Sequence, residues 1–437
     1  MNLILGFGKT GASFVRYLKN KDLSFLIMDS RLDPPGLLQF KDLSKKNLIL
    51  GGFDLNVLGK VKRILVSPGI NFHSKILKEA RNLGIKIQTD IEIFLEETRS
   101  KTILVTGTNA KTTVVSMAGH LLKKVYGEDQ VICGGNIGKP VLDIIQADNL
   151  ISVVEVSSFH LEHSKILPSD IAVLLNIQQD HLDRHFSFER YSQIKQRILL
   201  NTNTGLVGIK DLNPELLCKE NILNYEDLLE PLKKEISSSI NKEWPLHELE
   251  NVKAVISIYI ALEALYGNLD INKIEKENLS LIKKNINLIH SFVRLPHRFE
   301  VLGTKKGITY INDSKSTNIS SLVVAVNSAE RKYGKNKILL ICGGDSKAQD
   351  FSSISQGSLD SIKHIFTFGK DKEIIMNNLK NKVECTVTKD LKNALLNARS
   401  FSKEGDVIML SPACSSTDMF SDYKERGMKF RELTGFM

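Results

Sequence analysis

The sequence predicts an α/β protein whose parallel sheets are covered by helices on both faces, and three observations carry the prediction. Short apolar strands alternate with helical segments along the whole chain. Three blocks repeat one pattern, in which a short apolar strand opens the block and strand ends run into glycine-bearing or polar turns. With 437 residues the chain has room for several cores.

The first block opens on Asn2-Leu3-Ile4-Leu5, continues through strands Ser24–Met28 and Arg63–Val66, and ends near Ile91. The second opens at Thr102–Thr106 and contains strands Ile151–Val156 and Asp170–Leu175. The third follows the turn Leu295-Pro296-His297-Arg298, with strands Ile308–Ile311, Lys337–Ile341, His364–Phe368 and Asp406–Leu410. The expected domains are 1–92, 93–297 and 298–437. Between the blocks, Asn201 to Trp244 reads as polar and irregular, and Asn268 to Asn287 as a weak stretch rich in Lys, Asn and Ile.

Composition narrows the function. A 42% apolar and 25% charged chain is ordinary for a soluble globular protein. Lys and Arg number 59 against 50 Asp and Glu, a net charge of +9 that draws anions to the surface. No basic cluster stands out, which favours a small anionic substrate over nucleic acid. The five cysteines are scattered without CxxC spacing, as expected of reduced thiols in a cytosol. The first residues pass at once into glycines and read as a strand, not a signal peptide. The apolar run Ala254 to Leu262 carries Ser257 and is followed by Glu263, so it reads as a buried helix, and no membrane span is expected.

The stretch Lys101 to Val115, KTILVTGTNAKTTVV, has the physics of a phosphate site. A strand enters a polar turn containing Gly107, Thr108, Asn109 and Ala110, and a helix starts at Lys111. Backbone N–H groups and the positive helix end form an anion hole, Lys111 reaches the outer phosphates, and Thr112 offers a hydroxyl to Mg²⁺. Gly6-Phe7-Gly8-Lys9-Thr10-Gly11 follows the first strand, and Asp29 closes the second. That is a dinucleotide fingerprint of a Rossmann-like domain, although a diphosphate-bearing substrate would use the same physics, with Ser67-Pro68-Gly69 completing the cradle. A dehydrogenase or a nucleotide-binding switch is the rival reading it leaves open.

Glu155 ends an apolar strand where ligands of open parallel sheets bind, and a carboxylate there holds Mg²⁺ directly or through water. The next strand is followed by Asn176, Asp180, His181, Asp183, Arg184 and His185, a polar density rare in packing. Lys195, on the helix after Ser187, reads from its own neighbourhood as a solvated lysine. In the third block, Asn312–Asn318, Gly343–Lys347 and Ser411–Ser416 each follow a strand, and together they offer two lysines, hydroxyls and backbone donors to a small carboxylate.

Taken in order, GTNAKTT, EVSSF, NIQQDHLDRH, LPHRFE, NDSKSTN, GGDSK, LSPACSS and the downstream ERG resemble the Mur ligase family over essentially the whole chain. The resemblance implies a Rossmann-like N-terminal domain for a UDP substrate, a central P-loop ATPase-type domain with a parallel or mixed sheet, and a Rossmann-like C-terminal domain for an amino acid. It implies ATP-dependent ligation of D-glutamate to UDP-N-acetylmuramoyl-L-alanine, with another amino acid of the family or glutamate on folate as alternatives. UDP-substrate contacts are expected from Lys9, Thr10, Asp29, Ser30, Arg31, Ser67, Gly69, Asn136 and Ser157. ATP is expected on Gly107, Thr108, Asn109, Ala110, Lys111, Thr112, Thr113, Asn251, Arg298 and Asp313. Lys315, Thr317, Lys347, Ser416 and Tyr423 would receive the amino acid. Thr112, Glu155, His181 and a Lys195 carbamylated by CO₂ would serve two Mg²⁺ ions, with Lys111, His181 and Lys195 as the catalytic set. A cytoplasmic monomer is implied. Ala110, His160, Glu248, Ser346 and Tyr423 depart from the family pattern, His160 standing where the family has glutamine.

Overall fold

Apolar runs buried on both faces, such as Phe25–Met28, Ile103–Val105 and Ile338–Cys342, form the central strands of three sheets. The computed structural model describes all residues except 41–42, 137, 146–149, 235, 237–243, 246, 272–275 and 437. The described chain forms two compact units, one of Met1–Ile177, Glu189–Ser239 and Asn251–Ser291, the other of Gln178–Phe188, Ile240–Glu250 and Phe292–Met437.

The first unit holds two all-parallel sheets. One contains β1 (Asn2–Leu5), β2 (Phe25–Asp29), β3 (Leu48–Leu50), β4 (Arg63–Val66) and β5 (Lys86–Gln88), in the order β3-β2-β1-β4-β5. The other contains β6 (Lys101–Thr106), β7 (Val131–Gly135), β8 (Ile151–Glu155), β9 (Ser169–Leu174), β10 (Thr202–Val207) and β11 (Ile222–Asn224), ordered β11-β10-β9-β6-β8-β7. One apolar cluster runs from Ile4, Phe14 and Ile27 to Leu104, Val154 and Ala172, so the two sheets share a core. Arg16 adds a bidentate pair to Asp143.

The second unit is built on β12 (Glu300–Lys305), β13 (Ile308–Asn312), β14 (Ile338–Gly343), β15 (Ile362–Phe368), β16 (Cys385–Val387) and β17 (Val407–Leu410), ordered β12-β13-β17-β14-β15-β16. Helices bury apolar faces on both sides, Leu322, Val326 and Ile375 in one cluster and Leu391, Leu395 and Phe430 in the other.

Three expectations are corrected. The third sheet is mixed, because β12 and β13 pair antiparallel across Lys306-Gly307, whose φ values of 51° and 71° suit a two-residue hairpin turn. Asn201 to Trp244 is not wholly irregular, for it contributes β10 and β11; in TNTGLV only the last residues are apolar, and Gly205 packs without a side chain. Asn268 to Asn287 includes most of a helix, Lys276–Ile289, whose buried Ile282, Asn285 and Ile289 recur at helical spacing. Near Ile91, where the first block was expected to end, Thr89 caps a helix, Asp90–Glu97, in a reciprocal box with Glu92. Ala254–Leu262 does lie in a buried helix, His247–Leu265, and among the described residues no helix is long and apolar enough to cross a membrane.

Candidate active site

In the first unit the strands adjacent in the second sheet, β8, β6 and β9, end in the loops that carry the candidate chemistry. The turn after β6 delivers Gly107 to Ala110 to the start of the helix Lys111–Tyr126. Ala110 offers no capping side chain, which suits a helix start that holds an anion. It also adopts φ 68°, ψ −11°, a left-handed conformation that glycine takes without strain. Lys111 Nζ donates to the carbonyls of Gly107 at 2.7 Å and Thr108 at 2.9 Å. Asn176, at the end of β9, braces the loop: its Oδ1 accepts from Asn109 N at 2.8 Å, and its carbonyl from Thr108 N at 2.9 Å.

Glu155, 1% exposed, ends β8 beside that loop. Thr112 Oγ1 donates to its Oε2 at 2.8 Å and Asn136 Nδ2 to its Oε1 at 2.9 Å. Among the described residues no lysine or arginine forms a salt bridge with it, although a buried carboxylate normally needs a positive partner. A hydroxyl beside such a carboxylate, next to a phosphate loop, is the donor set of Mg²⁺, which takes one or two carboxylates and completes its shell from phosphates and water. Three or more His, Cys, Asp or Glu side chains do not converge as a metal cluster among the described residues.

Lys195 is corrected from solvated to buried, with 1% of it exposed. On the helix Phe188–Gln196, Tyr191, Ile194 and Lys195 share the inward face, and Lys195 Nζ donates to Gly107 O at 2.8 Å. The 191, 194, 195 spacing was the available signal, but a charged residue on it does not read as core. Tyr191 was missed: its hydroxyl lies 3.0 Å from Thr108 Oγ1. Thr113 is buried behind the loop, and Asn251 is buried in the helix His247–Leu265.

At the end of the first sheet, Asp29 does more than close a strand. Its Oδ2 accepts from Phe7 N at 2.6 Å, while Arg31 pairs with both oxygens at 2.8 and 2.7 Å, and that bonding holds the carboxyl below its ordinary range against the cost of burial. Ser67 Oγ donates to Gly6 O at 2.8 Å. A Cβ on Gly11 would stand 2.1 Å from that same carbonyl, so the turn tolerates only glycine there. Lys9, Ser30, Arg31 and Gly69 are exposed around this turn and Thr10 is half-buried.

In the second unit β17 lies between β13 and β14, which brings the three polar loops to one sheet edge as expected. Asp345 and Ser415 pair through their backbones. Lys347 Nζ reaches Asp180 Oδ1 at 3.3 Å, and Asn318 Nδ2 reaches Oδ2 at 3.2 Å. Lys315 Nζ lies 4.6 Å from the centre of the Tyr423 ring. Thr317 is half-buried and Ser416 buried. His181 sits beside Asp180 in this unit, in a left-handed conformation with φ 54°. Asp313 is buried, accepts from Phe299 N and Ser411 Oγ, and is pushed up to about 7 by desolvation, with Arg298 and Arg294 opposing. Glu248 lies 3.6 Å from Arg294, which accounts for a carboxylate at that buried position.

The organiser of these loops is Arg426, fully buried on the helix Tyr423–Thr434. It donates to Ser314 Oγ at 3.0 Å, Ser314 O at 2.8 Å and Cys414 O at 3.1 Å. Burial lowers it to about 10, so it stays charged at neutral pH. The ERG motif pointed at it without giving it a role.

Fold and site together define an α/β protein with a glycine-bearing loop at a helix start, a buried carboxylate beside it and, in its second unit, three polar loops at one sheet edge. Family profiles agree: a Mur ligase MurD-like N-terminal domain matches residues 1–89, the Mur ligase middle domain 105–217, and the Mur ligase glutamate ligase domain 297–414. The UDP-N-acetylmuramoylalanine–D-glutamate ligase of Saccharophagus degradans is 33% identical over 98% of this chain and 96% of its own length. The enzyme of that name from Legionella pneumophila strain Paris is 34% identical over 98% and 97%. In fold the chain is similar to the UDP-N-acetylmuramate–alanine ligase MurC of Thermotoga maritima, with a TM-score of 0.55, 16% identity and 99% of each chain covered. A MurF ligase of the same organism, solved with ADP, gives 0.52 at 16% identity, covering 99% of this chain and 93% of that one. The chain belongs to the Mur ligase family.

Proposed function

We propose that this protein is an ATP-dependent ligase that joins D-glutamate to UDP-N-acetylmuramoyl-L-alanine in peptidoglycan precursor synthesis, acting as a cytoplasmic monomer. The observation that carries the reading is the Thr112–Glu155–Asn136 arrangement beside the phosphate loop, in a chain matched end to end by D-glutamate ligases. Segment 1–92 holds the UDP moiety, 93–297 the ATP, and 298–437 the amino acid.

A carboxylate oxygen of the sugar peptide attacks the γ-phosphorus of ATP, the bond to the β-bridging oxygen breaks, and ADP leaves an acyl phosphate. The D-glutamate amine, once deprotonated, attacks the acyl carbon, and the tetrahedral adduct collapses to amide and phosphate. Lys111 and the backbone N–H groups of Gly107–Thr113 neutralise and orient the phosphates. Lys347, Ser416, Thr317 and Lys315 bind the amino acid, with Tyr423 against Lys315. His181 orients the sugar peptide or the second metal. Thr112, Glu155 and His181, with Lys195 after addition of CO₂ to its amine and loss of a proton, would hold two Mg²⁺ ions. Bound Mg²⁺ supplies charge neutralisation at the transferring phosphoryl group.

A coupled assay with ATP, Mg²⁺, UDP-N-acetylmuramoyl-L-alanine and D-glutamate, leaving out one component at a time, tests this. Phosphate release and an extended nucleotide sugar are expected only in the complete mixture. Turnover with L-alanine or a diamino acid on the matching acceptor, and none with D-glutamate, would replace the substrate assignment.

A further inference from the structure

None of the roles above uses the buried pair Asp90 and His160. Asp90 is 1% exposed, its Oδ1 has no hydrogen-bond partner of ordinary geometry, and His160 Nε2 lies 3.5 Å from that oxygen. On its other side the 2% exposed His160 meets Ser157, with Nδ1 2.6 Å from Ser157 Oγ and 3.2 Å from Ser157 N. A backbone N–H can only donate, so Nδ1 is the nitrogen without a proton and Nε2 carries it toward Asp90. Ser157 Oγ already accepts from His160 N at 3.3 Å. With an acceptor at Nδ1, the serine hydroxyl has to give its proton there. Its remaining capacity, on a half-buried side chain, is a lone pair.

We infer that Asp90 and His160 are positioning residues that fix Ser157 Oγ as a hydrogen-bond acceptor, so that it recognises an N–H or O–H donor of the nucleotide-sugar peptide and not its phosphate or carboxylate oxygens. The inference rests on reading Ser157 as a substrate contact. A serine, histidine and aspartate in sequence also raise a nucleophilic triad, and the chemistry goes against it. Burial lowers the His160 imidazole to about 4, opposed only in part by the charge of Glu155, so at neutral pH it is too weak a base to take the serine proton. Burial pushes Asp90 up to about 7, and either form of that carboxyl accepts the Nε2 proton.

Two measurements test the device. In the wild-type protein with ¹⁵N-labelled histidine, NMR should report the Nε2–H tautomer for His160 between pH 5.5 and 8; an Nδ1–H tautomer overturns the proposal. In steady-state kinetics, Asp90→Ala, which removes the acceptor, and His160→Met should raise KM for UDP-N-acetylmuramoyl-L-alanine about fivefold to tenfold, the worth of one oriented hydrogen bond, with KM for ATP unchanged. His160→Gln, which can present an amide oxygen to Ser157, should restore KM to within about threefold. Ser157→Ala separates the two levels of the argument. If it leaves KM unchanged, the substrate-contact reading falls and takes the proposal with it. If it raises KM while Asp90→Ala and His160→Met do not, only the positioning role falls.

Discussion

Lys111 and Ala110 show how much chemistry turns on single positions of the phosphate loop. The Lys111 amine rests on two loop carbonyls, 2.7 and 2.9 Å away, within the turn where it is proposed to meet phosphates. Lys111→Ala removes a cation whose value is greatest as charge shifts in phosphoryl transfer, so kcat in the ligation assay should fall by about 10³ or more. Near-normal turnover would end the proposed role. Ala110 carries the opposite kind of information. A left-handed alanine costs roughly 1–2 kcal/mol, while glycine there is unstrained but loses about 0.4–1 kcal/mol because it is freer in the unfolded chain. Ala110→Gly should therefore raise the stability of the first unit by about 0.5–1 kcal/mol in urea denaturation, and a loss of stability would show that the loop exploits the methyl group. The glycines and Glu155 were legible in sequence because each followed an apolar strand. Lys195 was not, because a lysine's burial depends on a carbonyl contributed 88 residues earlier in the chain.

At the scale of elements, the C-terminal helix Tyr423–Thr434 braces the loops proposed to receive the amino acid. The planar fork of Arg426 spans two loops with three donors, and a lysine cannot reproduce that geometry. Arg426→Lys should raise KM for D-glutamate about tenfold while leaving KM for the nucleotide sugar within about twofold; equal effects on both would mean general destabilisation instead. Asp313, at the end of β13, gives the second unit a pH signature. Its pKa is raised to about 7, so the folded state holds the proton more tightly than the unfolded chain. That stabilisation is complete below about pH 4 and is lost as pH rises through about 7. Asp313→Asn keeps an uncharged group there, and should gain roughly 2–4 kcal/mol over wild type at pH 8 and little at pH 4, read from urea midpoints. A wild-type pH slope that survives in the variant would assign it to other groups. Polar β10 and the antiparallel β12 escaped the sequence reading for related reasons: edge and near-edge strands bury less, so their apolar signal is short.

Across the whole molecule, the strand-and-turn rhythm made three sheet-bearing blocks readable, since both-face burial forces continuous apolar runs in their parallel strands. Compact units were harder to read, because Gln178–Phe188 and Ile240–Glu250 group with the C-terminal sheet despite lying far from it in sequence. Net charge is the property that belongs to the whole chain, and it bears directly on the proposed substrates. A surface of +9 meeting ATP and a nucleotide-sugar carboxylate should speed their encounter by long-range attraction. Raising ionic strength from about 0.05 to 0.3 M shortens the screening length from about 14 to 6 Å. kcat/KM for UDP-N-acetylmuramoyl-L-alanine should then fall about threefold to tenfold, with kcat nearly flat, because screening acts on approach and not on the assembled complex. If kcat falls in parallel, salt is acting on charged contacts within the bound state; if neither changes, the excess of lysine and arginine serves solubility alone.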